Sequence, residues 1–200
     1  MTIVLLVEGQ TETALREHLK RFLDDRATAG GRPKTALRTK DIMTLNPGKL
    51  RGRIRLELGQ PEVTAVVGLI DVYPRFLSAS EAKVFLRETA GNDPHFYAHA
   101  AQFEVEAWLL PYWESICARL GTARQAAPGP RPEQVDHEKP PSHHLKELYR
   151  LVKPCRKYIK TQEMAAILRG KDLTVPANQC PEFKALLNTL LDLSGLAPLD

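Results

Sequence analysis

Cysteine is scarce and poorly placed for cross-linking. The 200-residue chain has three, Cys117, Cys155 and Cys180, widely spaced and with no CxxC pair. An odd, scattered set argues against a disulfide framework and a structural zinc site. It predicts reduced thiols in a cytoplasmic protein. No apolar run approaches the ~18 residues of a membrane span, so no membrane partner is expected. The first residues carry neither a basic segment nor a small-residue cleavage site, and no secretory signal is expected. There is no internal repeat. There is also no GxxxxGK[ST], so ATP binding through a Walker motif is not expected, and Gly9 is not a phosphate-loop glycine.

What is present suits a folded core. Hydrophobic residues make up 43% of the chain. The length fits one domain, or one domain with a helical appendage. The first apolar run, Ile3-Val4-Leu5-Leu6-Val7, is rich in β-branched residues and predicts a strand buried on both faces. It ends at Glu8-Gly9. Thr11 is placed to cap a helix with Leu15, His18, Leu19, Phe22 and Leu23 on its inner side. Asp24 to Arg32 reads as a loop. Residues 35–44 predict a second strand, with Ala36, Leu37, Ile42 and Met43 partly buried. Asn46-Pro47-Gly48 is a turn, and Leu50, Ile54 and Leu58 mark a helix over Lys49–Leu58.

The second strong run, Val63 to Ile70, also predicts a doubly buried strand and also ends in an acid, Asp71. Ser78 and Glu81 have the spacing of a capping box for a helix to about Glu88. Phe96 to Gln102 predicts a fourth strand, followed by Phe103-Glu104-Val105-Glu106-Ala107-Trp108-Leu109-Leu110. Strands alternating with helices predict an α/β fold with a mainly parallel four-stranded sheet. Its carboxyl edge would carry Glu8, Asp71, Glu104 and Glu106, and that edge is where ligands bind in such sheets.

These expectations divide the chain into an α/β domain (1–120), a proline-rich loop or linker (121–141) and a helical extension (142–200). In the extension, Ser142 would cap a helix using Leu145, Leu148, Tyr149 and Val152, stopped by Pro154. Thr161 would open one using Met164, Ile167 and Leu168, closed by Gly170. Pro181 would stand in the first turn of one using Phe183, Leu186, Leu187, Leu190 and Leu191.

Clustered carboxylates repel unless a cation sits among them. An oxygen-only set suits Mg²⁺ or Mn²⁺ better than zinc, and such metals serve phosphoryl transfer and phosphodiester cleavage. The plainer reading of any one such acid is a helix-terminal residue interacting with the dipole; this applies above all to Glu12. The net charge is +4 and the pI about 9.0. Arg32, Lys34, Arg38, Lys40, Lys49, Arg51, Arg53 and Arg55 crowd one quarter of the chain. They form either a phosphate-binding surface or a solvated helix face with a basic loop. His143-His144, Lys160 and Lys171 are secondary candidates for proton transfer or phosphate contact, against a solvent-facing role. His99 reads as a satisfied histidine near the sheet edge, and Trp108 and Trp113 as packing residues.

Val7-Glu8-Gly9-Gln10-Thr11-Glu12, Leu69-Ile70-Asp71-Val72-Tyr73-Pro74 and Glu104-Val105-Glu106-Ala107-Trp108-Leu109-Leu110 resemble the Toprim superfamily. Within it they resemble an uncharacterised bacterial family of about this length. Pro141-Ser142, Lys160-Thr161 and Cys180-Pro181-Glu182-Phe183 extend the resemblance over nearly the whole chain. The resemblance implies a magnesium-dependent site acting on nucleic-acid phosphodiesters, as in nucleases of the overcoming-lysogenization-defect type, with a possible partner ATPase in phage defence. Glu8 would match the Toprim glutamate and Asp71 the first acid of the DxD motif. Tyr73 stands where the second aspartate is expected, leaving Glu104 and Glu106 as substitutes. The alternatives are a catalytically silent adaptor on the same scaffold, and a phosphatase or nucleotidyl-transfer enzyme.

Overall fold

The computed structural model describes residues 1–122, 125–134, 139–152 and 158–200, and side chains other than those of residues 10–12. Four strands, β1 (Thr2–Val7), β2 (Ala36–Asp41), β3 (Val63–Asp71) and β4 (Phe96–Ala101), form one sheet in the order β2-β1-β3-β4. All three pairings are parallel. Helices α1 (Gln10–Ala29), α2 (Pro47–Leu58) and α3 (Ala79–Ala90) make the crossovers. The fold class is therefore the α/β arrangement expected from the alternation of strands and helices.

The continuous apolar run of β1 has a direct physical cause. Successive side chains of a strand point to opposite faces, and both faces are covered. Ile3, Leu5 and Val7, with Val67 and Leu69, pack against Leu15, Leu19 and Leu23 of α1 and against the C-terminal helices. Val4, Leu6, Val66 and Ile70 pack against Leu50 and Ile54 of α2 and Ala82 and Leu86 of α3. Thus α1 lies on one face while α2 and α3 lie on the other. The chain leaves β1 toward β2 on one side, and β3 lies on the other, so the switch point of the topology falls between β1 and β3.

After β4 a 3-10 helix (Val105–Tyr112) leads into α4 (Trp113–Leu120). Then come α5 (Pro141–Val152), α6 (Lys160–Leu168), the short α7 (Thr174–Ala177) and α8 (Pro181–Leu193). Phe183, Leu186, Leu187, Leu190 and Leu191 of α8 are all buried, and they share one core cluster with β1 and β3. In the proline-rich stretch, Pro132 and Glu133 are buried in a single 3-10 turn. Trp108 Nε1 donates to Glu133 Oε1 at 3.0 Å, and the Glu182 backbone N–H donates to Glu133 Oε2 at 3.1 Å.

Several local expectations are corrected. Helix α1 starts at Gln10 with Gly9 as its cap, so Thr11 lies inside the first turn. It also runs through Ala29 where a loop was expected, because nothing between Asp24 and Ala29 breaks a helix and Ala27 is buried. Strand β2 ends at Asp41, and Ala36 and Met43 are exposed. Ser142 and Thr161 sit within their helices instead of capping them. Ser78 does cap α3 as expected, its Oγ accepting from the Glu81 N–H at 3.2 Å, but the Glu81 carboxylate reaches back to the Leu77 N–H, at 2.7 Å, and not to that of Ser78. Pro154 and Cys155 lie outside the described residues; Cys117 and Cys180 are buried free thiols.

Candidate functional site at the carboxyl edge of the sheet

Parallel strands deliver their carboxyl ends to one edge. Val7 pairs with Leu69, and Asp71 pairs with Ala101. Glu8 follows β1 directly, Asp71 closes β3, and Glu104 and Glu106 follow β4. All four predicted acids therefore lie along one edge, and Glu8 and Asp71 flank the switch point. The side chain of Glu12 lies outside the described residues.

Each acid has a distinct setting. Glu8 is half-buried and ion-paired to the Arg75 guanidinium through Oε1. Its Oε2 is buried and has no hydrogen-bond partner among the described residues. Arg75 is delivered by the turn after β3, where the Arg75 and Phe76 backbone N–H groups donate to Val72 O at 3.0 and 2.8 Å. Asp71 Oδ1 accepts from the Val105 backbone N–H at 2.9 Å, which fixes the carboxylate against the start of the 3-10 helix. Tyr73 is held one step further on, where its N–H donates to Phe103 O at 2.8 Å.

Glu104 and Glu106 surround a lysine. Glu104 Oε2 accepts from the Ser142 N–H at 2.9 Å, and its Oε1 accepts from Ser142 Oγ at 3.1 Å and from Lys160 Nζ at 3.2 Å. Glu106 is fully buried. Lys160 Nζ lies 2.9 Å from its Oε1. That contact is an ion pair without hydrogen-bond alignment, so both Glu106 oxygens remain without a hydrogen-bond partner among the described residues. Burial pushes the Glu106 pKa above the usual carboxylate range; Lys160 opposes the push and Glu104 adds to it. Burial alone would lower the Lys160 pKa, but Glu106 and Glu104 together outweigh it and leave the ammonium more firmly protonated than usual. Beside them the Tyr158 hydroxyl is buried without a hydrogen-bond partner among the described residues, and burial followed by Glu106 pushes its pKa upward.

Lys160 is thus not a solvent-facing residue flanking a helix. The sequence carried one usable signal for this. A cation at the first position of α6 opposes the helix dipole and calls for an anionic partner. Ser142 carried no signal beyond its resemblance to a cap. Lys171 lies elsewhere, with Nζ 2.7 Å from Ser115 Oγ. His143 and His144 are half-buried in the first turn of α5, their rings edge-to-face. His99 Nε2 is 3.0 Å from Thr189 Oγ1, but its buried Nδ1 has no hydrogen-bond partner among the described residues, so the histidine expected to be satisfied is so at one nitrogen. Trp108 packs on Phe183 with ring centroids 4.6 Å apart.

The donor chemistry fits a hard divalent cation at Glu8 and Asp71, oxygen donors on adjacent strand ends, with a buried Glu8 oxygen that has no hydrogen-bond partner among the described residues. Glu104 and Glu106 would have to share their oxygens with Lys160. Among the described residues no group of three or more His, Cys, Asp or Glu side chains converges as a metal site.

The five basic candidates separate by environment. Lys40, Lys49 and Arg55 are exposed and make no ion pair among the described residues. Arg51 donates from Nε to Thr89 O at 2.9 Å, tying α2 to the end of α3. Arg53 pairs with the buried Glu57 at 3.1 Å. No described helix is long and apolar enough to cross a membrane.

The C-terminal region of the Burkholderia pseudomallei OLD protein has a similar structure, with a TM-score of 0.53 and 15% sequence identity, over 96% of this chain and 98% of that chain. At that identity the likeness is one of fold, the α/β arrangement with a parallel four-stranded sheet. No curated protein matches the chain. Residues 7–191 match the model of a family described as a domain of unknown function, DUF4276. With a match that spans both the sheet and the C-terminal helices, the chain belongs to the DUF4276 family.

Proposed function

We propose that this protein is a Mg²⁺- or Mn²⁺-dependent Toprim nuclease that cleaves nucleic-acid phosphodiesters. The observation that carries the reading is the pair of carboxylates at the switch point. Glu8 and Asp71 end adjacent strands, and Glu8 keeps one buried oxygen without a hydrogen-bond partner among the described residues. A cation bound there would act as Lewis acid toward a phosphoryl oxygen. Asp71, aimed by the Val105 N–H, would hold it with Glu8, and Glu104 and Glu106 would contribute oxygens shared with Lys160. The firmly protonated Lys160 ammonium is suited to neutralising charge on a phosphate. Lys40, Lys49 and Arg55 are free to meet the backbone of the nucleic acid, with Arg51 and Arg53 adding positive potential from within the fold. Action in phage defence beside a partner ATPase is part of the same reading and rests on the family resemblance; a cytoplasmic location rests on the scattered cysteines.

The test is cleavage of supercoiled and single-stranded DNA by the purified chain in Mn²⁺, beside Glu8→Ala. Activity lost in the variant is the expected result; activity kept would place the site elsewhere. A silent adaptor on the same scaffold is the second reading. It is favoured by Tyr73 in place of a second acid and by the Arg75 guanidinium, which already occupies one oxygen of Glu8. That reading expects no cleavage and no cation response.

A further inference from the structure

Three residues that pack little in the fold line one groove. Met43 has φ 62, a left-handed conformation that a side chain of its size rarely adopts, and it is 88% exposed. Leu56 is 59% exposed. Gly52 sits in the interior of α2, where glycine weakens a helix, yet a Cβ built there meets no atom within 4 Å. Close packing does not require that glycine. The left-handed backbone at Met43 is strain of a kind that gathers at functional positions. All three line a groove of about 440 Å³ between the end of β2 and the outer face of α2.

The groove lies beside the carboxylate edge. Val7 pairs with Asp41, and the Ile42 N–H donates to Val7 O at 2.8 Å, so Met43 stands one strand away from Glu8. Lys49 and Arg53 share its helical wall, with Lys49 exposed and not ion-paired among the described residues; Asp41 is the one acid in the lining. Met43 and Leu56 give the groove an exposed thioether and an exposed leucine, Gly52 adds no side chain between them and the solvent, and Lys49 in the same lining suits a phosphate. Aromatic bases pack well on polarizable thioether sulfur. A base can enter such a groove only when it is not paired in a duplex.

We propose that this groove takes an unpaired nucleobase of a nucleic-acid strand, with its phosphate on Lys49, and so selects single-stranded or locally melted substrate. The inference rests on the nucleic-acid reading above and deepens it.

The experiment measures binding of labelled single-stranded and duplex oligonucleotides of equal length by anisotropy, with divalent metal removed so that no cleavage intervenes. The wild type is expected to bind the single strand about tenfold more tightly, the scale of one base contact. Gly52→Leu fills the groove and should abolish that preference while leaving duplex binding unchanged. Met43→Gly should weaken single-strand binding similarly. Both variants should keep or raise Tm, by up to about 4 °C, because neither residue packs in the fold. Equal single-strand and duplex binding by the wild type, or unchanged single-strand binding by a folded Gly52→Leu, would overturn the groove alone. Absence of binding to either form would overturn the nucleic-acid reading and the groove with it. Self-association in sedimentation that Gly52→Leu dissolves would assign the groove to a second copy of the chain and overturn the proposal.

Discussion

The Lys160 ammonium lies 2.9 Å from a carboxylate oxygen of Glu106, a residue with no exposure to solvent. The two meet from distant parts of the chain, Glu106 from the 3-10 helix after β4 and Lys160 from the first turn of α6. Glu104 and Ser142 complete the contact. The pairing joins the acid edge of the sheet to the C-terminal helices. It places a permanent cation in what the sequence shows as a row of acids.

Removing that cation leaves a buried charge uncompensated. Lys160→Met should therefore destabilise the fold by about 3 kcal/mol at neutral pH. Lys160→Met with Glu106→Gln should recover part of the loss, since Glu104 is then the one buried carboxylate left at the contact and it keeps its two Ser142 hydrogen bonds. The pH dependence has a definite sign. Glu106 has a folded-state pKa above its unfolded value, so its protonated form favours folding at low pH, and that contribution is lost as pH rises above about 4.5. Without Lys160 the folded pKa rises further. The gap in Tm between wild type and Lys160→Met should widen from pH 4.5 toward neutrality, and a gap independent of pH would contradict the assignment.

Glu8 is shared between Arg75 and any cation that binds at the switch point. Cation binding to the native state alone stabilises by about 2.7 kcal/mol at a hundredfold excess over Kd. That corresponds to roughly 5–10 °C in Tm for a chain of this size. Mn²⁺ should produce such a shift, and Glu8→Ala or Asp71→Ala should abolish it. Arg75→Gln should enlarge it, because the competing guanidinium is gone. The Arg75 side chain is 53% exposed. Losing its ion pair should cost less than about 1 kcal/mol in the absence of metal. Thermal unfolding with and without Mn²⁺ measures all four proteins.

Strands β1 and β3 were legible because burial on both faces demands unbroken apolar runs, and α8 because its leucines keep helical spacing. The acid edge followed from those strands, since parallel strands deliver their ends to one side. Strand β2 was less legible. It is an edge strand with only Leu37 buried inside it, and Met43 just beyond it is turned outward by its left-handed backbone. The role of Lys160 was hidden for another reason. Its contact with Glu104 spans 56 positions, and the Ser142 contact spans 38. No local pattern encodes such pairs; they arise when α5 and α6 dock on the sheet. Arg51 and Arg53 likewise read as free cations along the sequence, while the fold spends them on the end of α3 and on Glu57.

Gly68 is the glycine that packing requires. It lies in mid-β3, paired with Leu6 on one side and Ala98 on the other. A Cβ there would come within 2.8 Å of Phe96 Cζ and 3.5 Å of Leu86 Cδ1. Phe96, the first residue of β4, is buried in the same core cluster as Leu86 of α3. Gly68→Ala should cost about 1–3 kcal/mol by overpacking. Gly68→Ala with Phe96→Leu should recover part of that loss, and chemical denaturation of the two variants tests the contact directly.

His99 sets an acid limit on the fold. Its ring is buried between β4 and α8, with Nε2 at Thr189 Oγ1 and Nδ1 without a hydrogen-bond partner among the described residues. Burial, followed by the nearby Lys83 ammonium, lowers its pKa to about 4. Lys83 is itself held in place by Glu182, 2.7 Å away, which leaves it charged toward the histidine. The unfolded chain binds the proton near pH 6.5 and the folded chain only near pH 4. The stabilising contribution is therefore complete above pH 6.5 and disappears as pH falls toward 4, by about 3 kcal/mol in all. Two observations check this. The His99 imidazole resonance should not titrate between pH 8 and 5. His99→Leu, less stable at neutral pH because Thr189 loses its partner, should show a flatter fall in stability below pH 6.5 than the wild type. A wild-type imidazole that titrates near 6.5 would mean that the sheet and α8 are less tightly joined than the buried ring implies.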